Sequence, residues 1–117
     1  MQQLALVESK QSLTDFQRKV YKAVVQIPTG RVMTYQGLAM AIGCGSCQAV
    51  GQALKRNPFA PAVPCHRVIS KDLSLGGYVG ARDGEALSRK QALLADEGIL
   101  FENGRLQNPE LVIVAFL

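Results

Sequence analysis

Seven residues, Val63-Pro64-Cys65-His66-Arg67-Val68-Ile69, hold the only histidine of the chain, one of its three cysteines and an arginine. A cysteine is a strong nucleophile only as the thiolate, and a nearby cation, base or helix N-terminus lowers its pKa from about 8.5. His66 is a candidate base and Arg67 a candidate cation. On an extended backbone, however, neighbouring side chains point to opposite faces. Adjacency therefore does not establish a Cys65–His66 hydrogen bond, and a bridging water is the alternative link. Taken alone, the stretch also reads as a small buried thiol beside a surface histidine.

The surrounding residues narrow this. Asn57-Pro58 precedes Pro64-Cys65-His66-Arg67-Val68, and Gly76-Gly77-Tyr78-Val79-Gly80 and Leu93-Leu94-Ala95-Asp96-Glu97-Gly98 follow. This ordered set resembles the catalytic domain of the alkylguanine-DNA alkyltransferases, also called methylated-DNA–protein-cysteine methyltransferases, over about Phe16 to Leu106. The resemblance implies DNA repair by direct transfer of an alkyl group from guanine O6 to the cysteine, leaving a thioether. The protein would act once, without a cofactor or metal, on double-stranded DNA containing alkylated guanine.

Carried onto matching positions, the resemblance makes Cys65 the acceptor and His66 a base acting through a water. Glu97 would hold the imidazole in the useful tautomer, the logic of a nucleophile–histidine–carboxylate triad; by itself it reads as a solvated helix-end carboxylate. Asn57 would bridge the DNA-binding helices to the active-site segment. Tyr35 would press on the phosphate 3′ to the target and give a proton to the leaving base, although an aromatic packed on the core fits the same place. Val68 and the Tyr78, Val79 and Gly80 loop would line the base pocket. Val79 stands where relatives often have serine, so any contact there must come from its backbone. Arg67 either supports the loop, meets phosphate or is simply solvated.

Around these residues the pattern predicts a mainly α fold with short β elements, a winged-helix-like helix-turn-helix DNA-binding domain. Thr14 with Gln17 is a capping box, and Phe16, Val20, Val24 and Ile27 share one face of the helix it opens, which Pro28 and Gly30 end. Arg31-Val32-Met33 is a brief extended link before Thr34, which caps a short helix whose buried side is Leu38, Ala41 and Ile42. Gly43-Cys44-Gly45 turns the chain into Ser46, the cap of a second helix to about Lys55 with Val50, Ala53 and Leu54 inward. Two short helices on a glycine-containing turn spell a helix-turn-helix. A further helix spans about Glu85 to Ala95, with Leu87, Leu94, Ala86 and Leu93 inward. Glu102-Asn103-Gly104 signals a tight hairpin.

The second helix reads Gln48-Ala49-Val50-Gly51-Gln52, poor in the side chains that read major-groove edges. In the family this helix lies in the minor groove, where Ala49 and Gly51 would permit close approach; tight helix–helix packing is the other use of small residues. Gln48 occupies the place of an arginine that fills the gap left by a flipped base, so slower or weaker flipping is expected.

The chain of 117 residues is expected to be one domain, 1–117, with residues 1–12 a lead-in and 107–117 an apolar tail. The lead-in stands in place of the larger N-terminal domain that relatives usually carry. A net charge of +4 and a pI near 9.2 suit a polyanion. No leader and no membrane span is legible, so a cytoplasmic, DNA-associated (nucleoid-associated) protein is expected. Cys44 and Cys47 lack the further ligands a structural zinc needs, unless Cys65 and His66 are sacrificed; they read as small apolar packing, with a redox pair as the alternative. The run Leu111 to Leu117 reads as a packed strand or a sticky surface for weak self-association. A different class of protein also fits: a lesion sensor that binds alkylguanine without transfer and hands it to other repair factors. Such relatives carry tryptophan at the cysteine position and keep the arginine, the opposite of Cys65 with Gln48.

Overall fold

Helix α1 (Asp15–Val25) begins on the expected capping box: the Thr14 hydroxyl accepts from the Gln17 N–H at 3.0 Å, and the Gln17 side chain accepts from the Thr14 N–H at 2.8 Å. In the computed structural model, which describes residues 7, 13–59, 62–76 and 84–113, the helix stops at Val25 and Ile27 packs from the turn that follows. Val20, Val24 and Ile27 are buried as the periodicity predicts and Phe16 half so, but Tyr21 and Ala23 are buried too. Each fully buried aliphatic side chain contributes about 1.5–3 kcal/mol. Tyr21 has a second task, since its hydroxyl donates to the Ala53 carbonyl at 2.5 Å and ties α1 to the helix carrying that residue.

The link after α1 is more than extended. Met33–Thr34 (β1) pairs in parallel with Val68–Ile69 (β2), Met33 opposite Val68. This pairing was not legible, because it joins two-residue strands far apart in the chain. It sets the segment after Cys65 beside the start of helix α2 (Tyr35–Ala41), which Thr34 caps through the Gly37 N–H at 2.9 Å. Leu38 and Ala39 form the buried side of α2; Ala41, expected inward, is exposed. A helix this short turns only two residues fully inward, and Ala39 lies one position from Leu38 on that arc.

Gly43, at φ +72°, ends α2, with its N–H on the Met40 carbonyl and the Cys44 N–H on that of Ala39. That is the left-handed stop at which a Cβ costs most. Ser46 then caps α3 (Cys47–Lys55) through the Ala49 N–H at 3.1 Å, and Val50, Ala53 and Leu54 are buried as expected. Helices α2 and α3 pack on each other and on α1, so the helix-turn-helix is present.

Helix α4 (Gly84–Asp96) buries Leu94 and Lys90; Ala86, Leu87 and Leu93 are half-buried. The hairpin β3 (Phe101–Glu102) and β4 (Arg105–Leu106) turns on Asn103 and Gly104, both at positive φ, as an Asn-Gly turn of the primed type requires. Pro109–Leu111 is a 3₁₀ turn rather than a strand. Val112 bridges Val32, and the Ile113 N–H reaches the Val32 carbonyl at 2.9 Å. The described start of the apolar tail is therefore used within the fold, and its last four residues lie outside the described ones. Two core clusters result: α1, α2 and α3 enclose one with Cys65 and Val68, while Val32, Ile69, Leu94, Ile99 and Leu106 form the other. The Cys65–Ile69 segment runs from the first into the second.

Candidate active site where the two cores meet

Cys65–Arg67 is a single 3₁₀ turn, closed by the Arg67 N–H on the Pro64 carbonyl at 3.0 Å. With three residues per turn, successive side chains fan out about 120° apart instead of alternating. Cys65 faces the first core and is 5% exposed, whereas His66 and Arg67 both reach the end of α4. The extended backbone expected from sequence is thus replaced by a turn that delivers two neighbouring side chains to one carboxylate.

That carboxylate is Glu97. It follows the last residue of α4, and the Gly98 left-handed stop, at φ +81°, fixes it there, with the Ile99 N–H on the Leu94 carbonyl. Glu97 Oε2 lies 2.7 Å from His66 Nε2, and Glu97 Oε1 accepts from Arg67 Nε at 2.9 Å and from the Gly30 N–H at 3.0 Å. A helix C-terminus repels an anion, and burial also opposes the charge. The hydrogen bonds from Arg67, His66 and Gly30 outweigh both and hold the Glu97 carboxyl below its ordinary range. Arg67 also donates to the Ile27 carbonyl at 2.8 Å and to the Thr29 hydroxyl at 3.1 Å. Of the roles open to Arg67, the geometry supports bracing; its guanidinium is engaged inside the protein.

Burial lowers the His66 pKa further than the Glu97 hydrogen bond and charge can raise it, and Arg67 and Lys90 add to the lowering. The ring is therefore neutral at pH 7. A carboxylate only accepts, so the shared proton sits on Nε2 and the lone pair on Nδ1. Nδ1 is buried and has no hydrogen-bond partner among the described residues, which leaves it available as a base.

Burial pushes the Cys65 thiol above its ordinary value, while an Asn57 hydrogen bond and the Lys90 charge pull the other way. Asn57 is held by its Nδ2 on the Val63 carbonyl and its Oδ1 on the Phe59 N–H, both at 2.9 Å. It fixes the end of α3 to the residues entering Cys65, the bridge expected of it.

Lys90 was missed by sequence reasoning. It is fully buried on the inner face of α4, and its ammonium donates to the carbonyls of Val68 at 2.8 Å and Leu75 at 2.5 Å, 6.0 Å from the centre of the Tyr35 ring. The signal was its spacing: Lys90, Leu94 and Glu97 fall on one helical stripe, so a cation occupied a core position. Tyr35 is half-buried against the first core, and its ring edge and hydroxyl lie 3.2–3.3 Å from where a Cβ on Gly76 would sit. Gly76, at φ +73°, allows that approach. Val68 is fully buried; Tyr78, Val79 and Gly80 lie outside the described residues.

On α3, Gln48 is exposed and Ala49 and Gly51 are half-exposed. A Cβ on Gly51 would meet nothing within 4 Å, so its smallness does not serve internal packing. Among the described residues no group of three or more His, Cys, Asp or Glu side chains could hold a metal, and no helix is long and apolar enough to cross a membrane.

The described residues thus combine a helix-turn-helix with a neutral histidine that a carboxylate orients, one residue from a buried thiol. Residues 15–99 match the family described as 6-O-methylguanine DNA methyltransferase, DNA binding domain, and the chain belongs to that family. It is 42% identical over 101 residues to the methylated-DNA–protein-cysteine methyltransferase of Salmonella typhimurium, covering 83% of this chain and 56% of the relative. It thus spans little more than half the length of such curated relatives. Mycobacterium tuberculosis OGT in complex with DNA superposes with a TM-score of 0.65 at 45% identity, over 73% of this chain and 50% of that one. S. pombe Atl1, in complex with damaged DNA containing O6-carboxymethylguanine, gives 0.73 at 32% identity over 88% of this chain and 98% of that one.

Proposed function

We propose that this protein binds double-stranded DNA containing O6-alkylguanine and moves the alkyl group irreversibly to Cys65, once per molecule. The observation that carries the reading is the 2.7 Å contact between His66 Nε2 and Glu97 Oε2, which orients a neutral imidazole one residue from the thiol. In the reaction, His66 Nδ1 takes the Cys65 proton, directly or through a water, and Glu97 stabilises the imidazolium. The sulfur attacks the alkyl carbon and the carbon–O6 bond breaks. Its electron pair stays on guanine, which receives a proton from Tyr35, and the proton drawn from Cys65 restores the balance. Thiol and alkylguanine become thioether and guanine, with nothing else consumed.

The target must leave the base stack to be reached. Gln48, Ala49 and Gly51 on the open face of α3 would meet the DNA, and Val68 with the Tyr78, Val79 and Gly80 loop would border the base. Arg67 braces Glu97 in this reading and does not touch DNA. The test is to incubate the protein with an oligonucleotide carrying O6-methylguanine and weigh it intact. A gain of one methyl group in place of one hydrogen, absent in Cys65→Ala, is expected; specific binding with no gain would overturn the transfer.

A second reading is recognition of the lesion without transfer, since the fold also superposes on that of S. pombe Atl1 bound to damaged DNA, at a TM-score of 0.73. Binding with unchanged mass is the outcome that would select it, and an oriented histidine beside a cysteine is what it leaves unexplained.

A further inference from the structure

Cys44 and Cys47 stand outside the relay, and the structure separates them in a way that apolar packing does not explain. Cys44 is half-buried against the first core, as packing predicts, whereas Cys47 is exposed. They lie three residues apart across the Ser46 cap, at the turn that opens α3. The Cys44 sulfur is 3.4 Å from the Ser46 nitrogen and 3.5 Å from the Ser46 oxygen. That oxygen belongs to the peptide bond joining Ser46 to Cys47, so the anchored sulfur already rests at the base of the residue bearing the exposed one. A disulfide needs its two Cβ atoms about 3.8 Å apart. Gly43 and Gly45, neither of which would crowd a Cβ, flank Cys44 and leave the turn room to close.

We propose that Cys44 and Cys47 form a reversible intramolecular disulfide under peroxide, and that the bond weakens the hold of α3 on DNA. The chemistry balances with hydrogen peroxide as oxidant. The exposed Cys47 sulfur, as thiolate, attacks one peroxide oxygen; the oxygen–oxygen bond breaks and the departing hydroxide takes up the proton as water. The Cys44 thiol then attacks the resulting sulfenic acid, the sulfur–oxygen bond breaks, and a second water carries away the Cys44 proton. Two thiols are oxidised and one peroxide is reduced to two waters. Cys65, at 5% exposure, is shielded from the same oxidant.

Closing the bond takes the Cys44 sulfur from its contacts with Ser46 and draws the first residue of α3 toward the turn. This disturbs the cap on the Ala49 N–H and moves Gln48, the next residue, from its exposed place. The effect on DNA rests on the proposed function; the disulfide itself does not.

The experiment titrates the full chain with hydrogen peroxide, reads intact mass and peptide maps, then measures affinity for an O6-methylguanine duplex in a Cys65→Ser background, where the pair holds the only thiols. Expected are the loss of two hydrogens in the peptide holding Cys44 and Cys47, reversal by dithiothreitol, and about tenfold weaker binding, equivalent to ~1.4 kcal/mol. Cys47→Ser should bind as tightly before peroxide as after it. Oxidation of Cys65 ahead of the pair, oxygen addition at Cys44 or Cys47 without a disulfide, or a disulfide that leaves affinity unchanged each overturns the proposal. Failure of the reduced protein to bind the duplex refutes the DNA reading instead, and the mass measurement still decides the disulfide.

Discussion

Replacing Glu97 with glutamine alters one charge at the junction of His66, Arg67 and Gly30 while keeping the side-chain shape. Three donors converge on this carboxylate at 2.7, 2.9 and 3.0 Å. A hydrogen bond to a charged group contributes ~1.5–3 kcal/mol and a neutral one ~0.5–1.5. The loss is therefore about 1 kcal/mol per bond and ~3 kcal/mol in all. One end of the new amide is a donor and must face either His66 or the Arg67 and Gly30 pair, so one of those contacts becomes repulsive. For a domain this small ~3 kcal/mol lowers Tm by roughly 10–20 °C.

Catalysis should fall further than stability. The carboxylate both fixes the proton on Nε2 and receives the imidazolium; losing such a partner in a nucleophile–histidine–carboxylate site costs up to ~10⁴ in rate, and a general base as a whole is typically worth ~10²–10⁴. Single-turnover alkyl transfer, followed by intact mass at a temperature where circular dichroism shows the variant folded, should slow by about 10²–10⁴-fold. Binding to the alkylguanine duplex should be unchanged, since the Glu97 carboxylate is engaged by His66, Arg67 and Gly30. A folded Glu97→Gln protein that transfers within about threefold of the parent would sink the relay, because no general base worth ~10² could then depend on that carboxylate.

Lys90→Met removes a buried cation and leaves the Val68 and Leu75 carbonyls without the ammonium donor, at about 1–3 kcal/mol each; urea unfolding should show a loss of ~2–6 kcal/mol, and Cys65 alkylation by iodoacetamide at neutral pH should slow. Because burial raises the Cys65 pKa above its ordinary value, iodoacetamide reactivity of the free protein should climb from pH 7 through pH 9 without levelling. Stability moves the other way on the acid side. The folded pKa values of His66 and Glu97 are lowered, so the unfolded chain takes up their protons first, and Tm should begin to fall below the ordinary imidazole value of 6.5 and again below the carboxylate value of 4.5. Gln48→Arg should tighten duplex binding or speed repair by roughly 5–150-fold, the equivalent of ~1–3 kcal/mol of charge-assisted contact; no change in either refutes a role for Gln48 at the DNA.

The helices were legible because each carries its own start and stop. Thr14, Thr34 and Ser46 cap three of them, Gly43 and Gly98 close two, and Asn103-Gly104 turns the hairpin; all act within a few residues of themselves. The β1–β2 pairing had no such signal. Two-residue strands hold no periodicity, and what selects Met33 opposite Val68 is the docking of two cores, which local spacing does not encode. Ala41 failed for a related reason: on a seven-residue helix a one-position rotation changes which alanine faces inward.

The relay itself shows why a correct list of residues falls short of a site. Read as a strand, Cys65-His66-Arg67 sends the imidazole away from both neighbours, and Glu97 becomes a solvated helix end. The observed 3₁₀ turn reverses this, turning His66 and Arg67 to one carboxylate while Cys65 stays with the core. The consequence is electrostatic. Glu97 sits at the wrong end of a helix dipole and half out of water, so Arg67 and Gly30 are needed before it can serve His66 at all. Arg67 thus acts on His66 through Glu97, and the cation that acts on Cys65 through space is Lys90, from the inner face of α4.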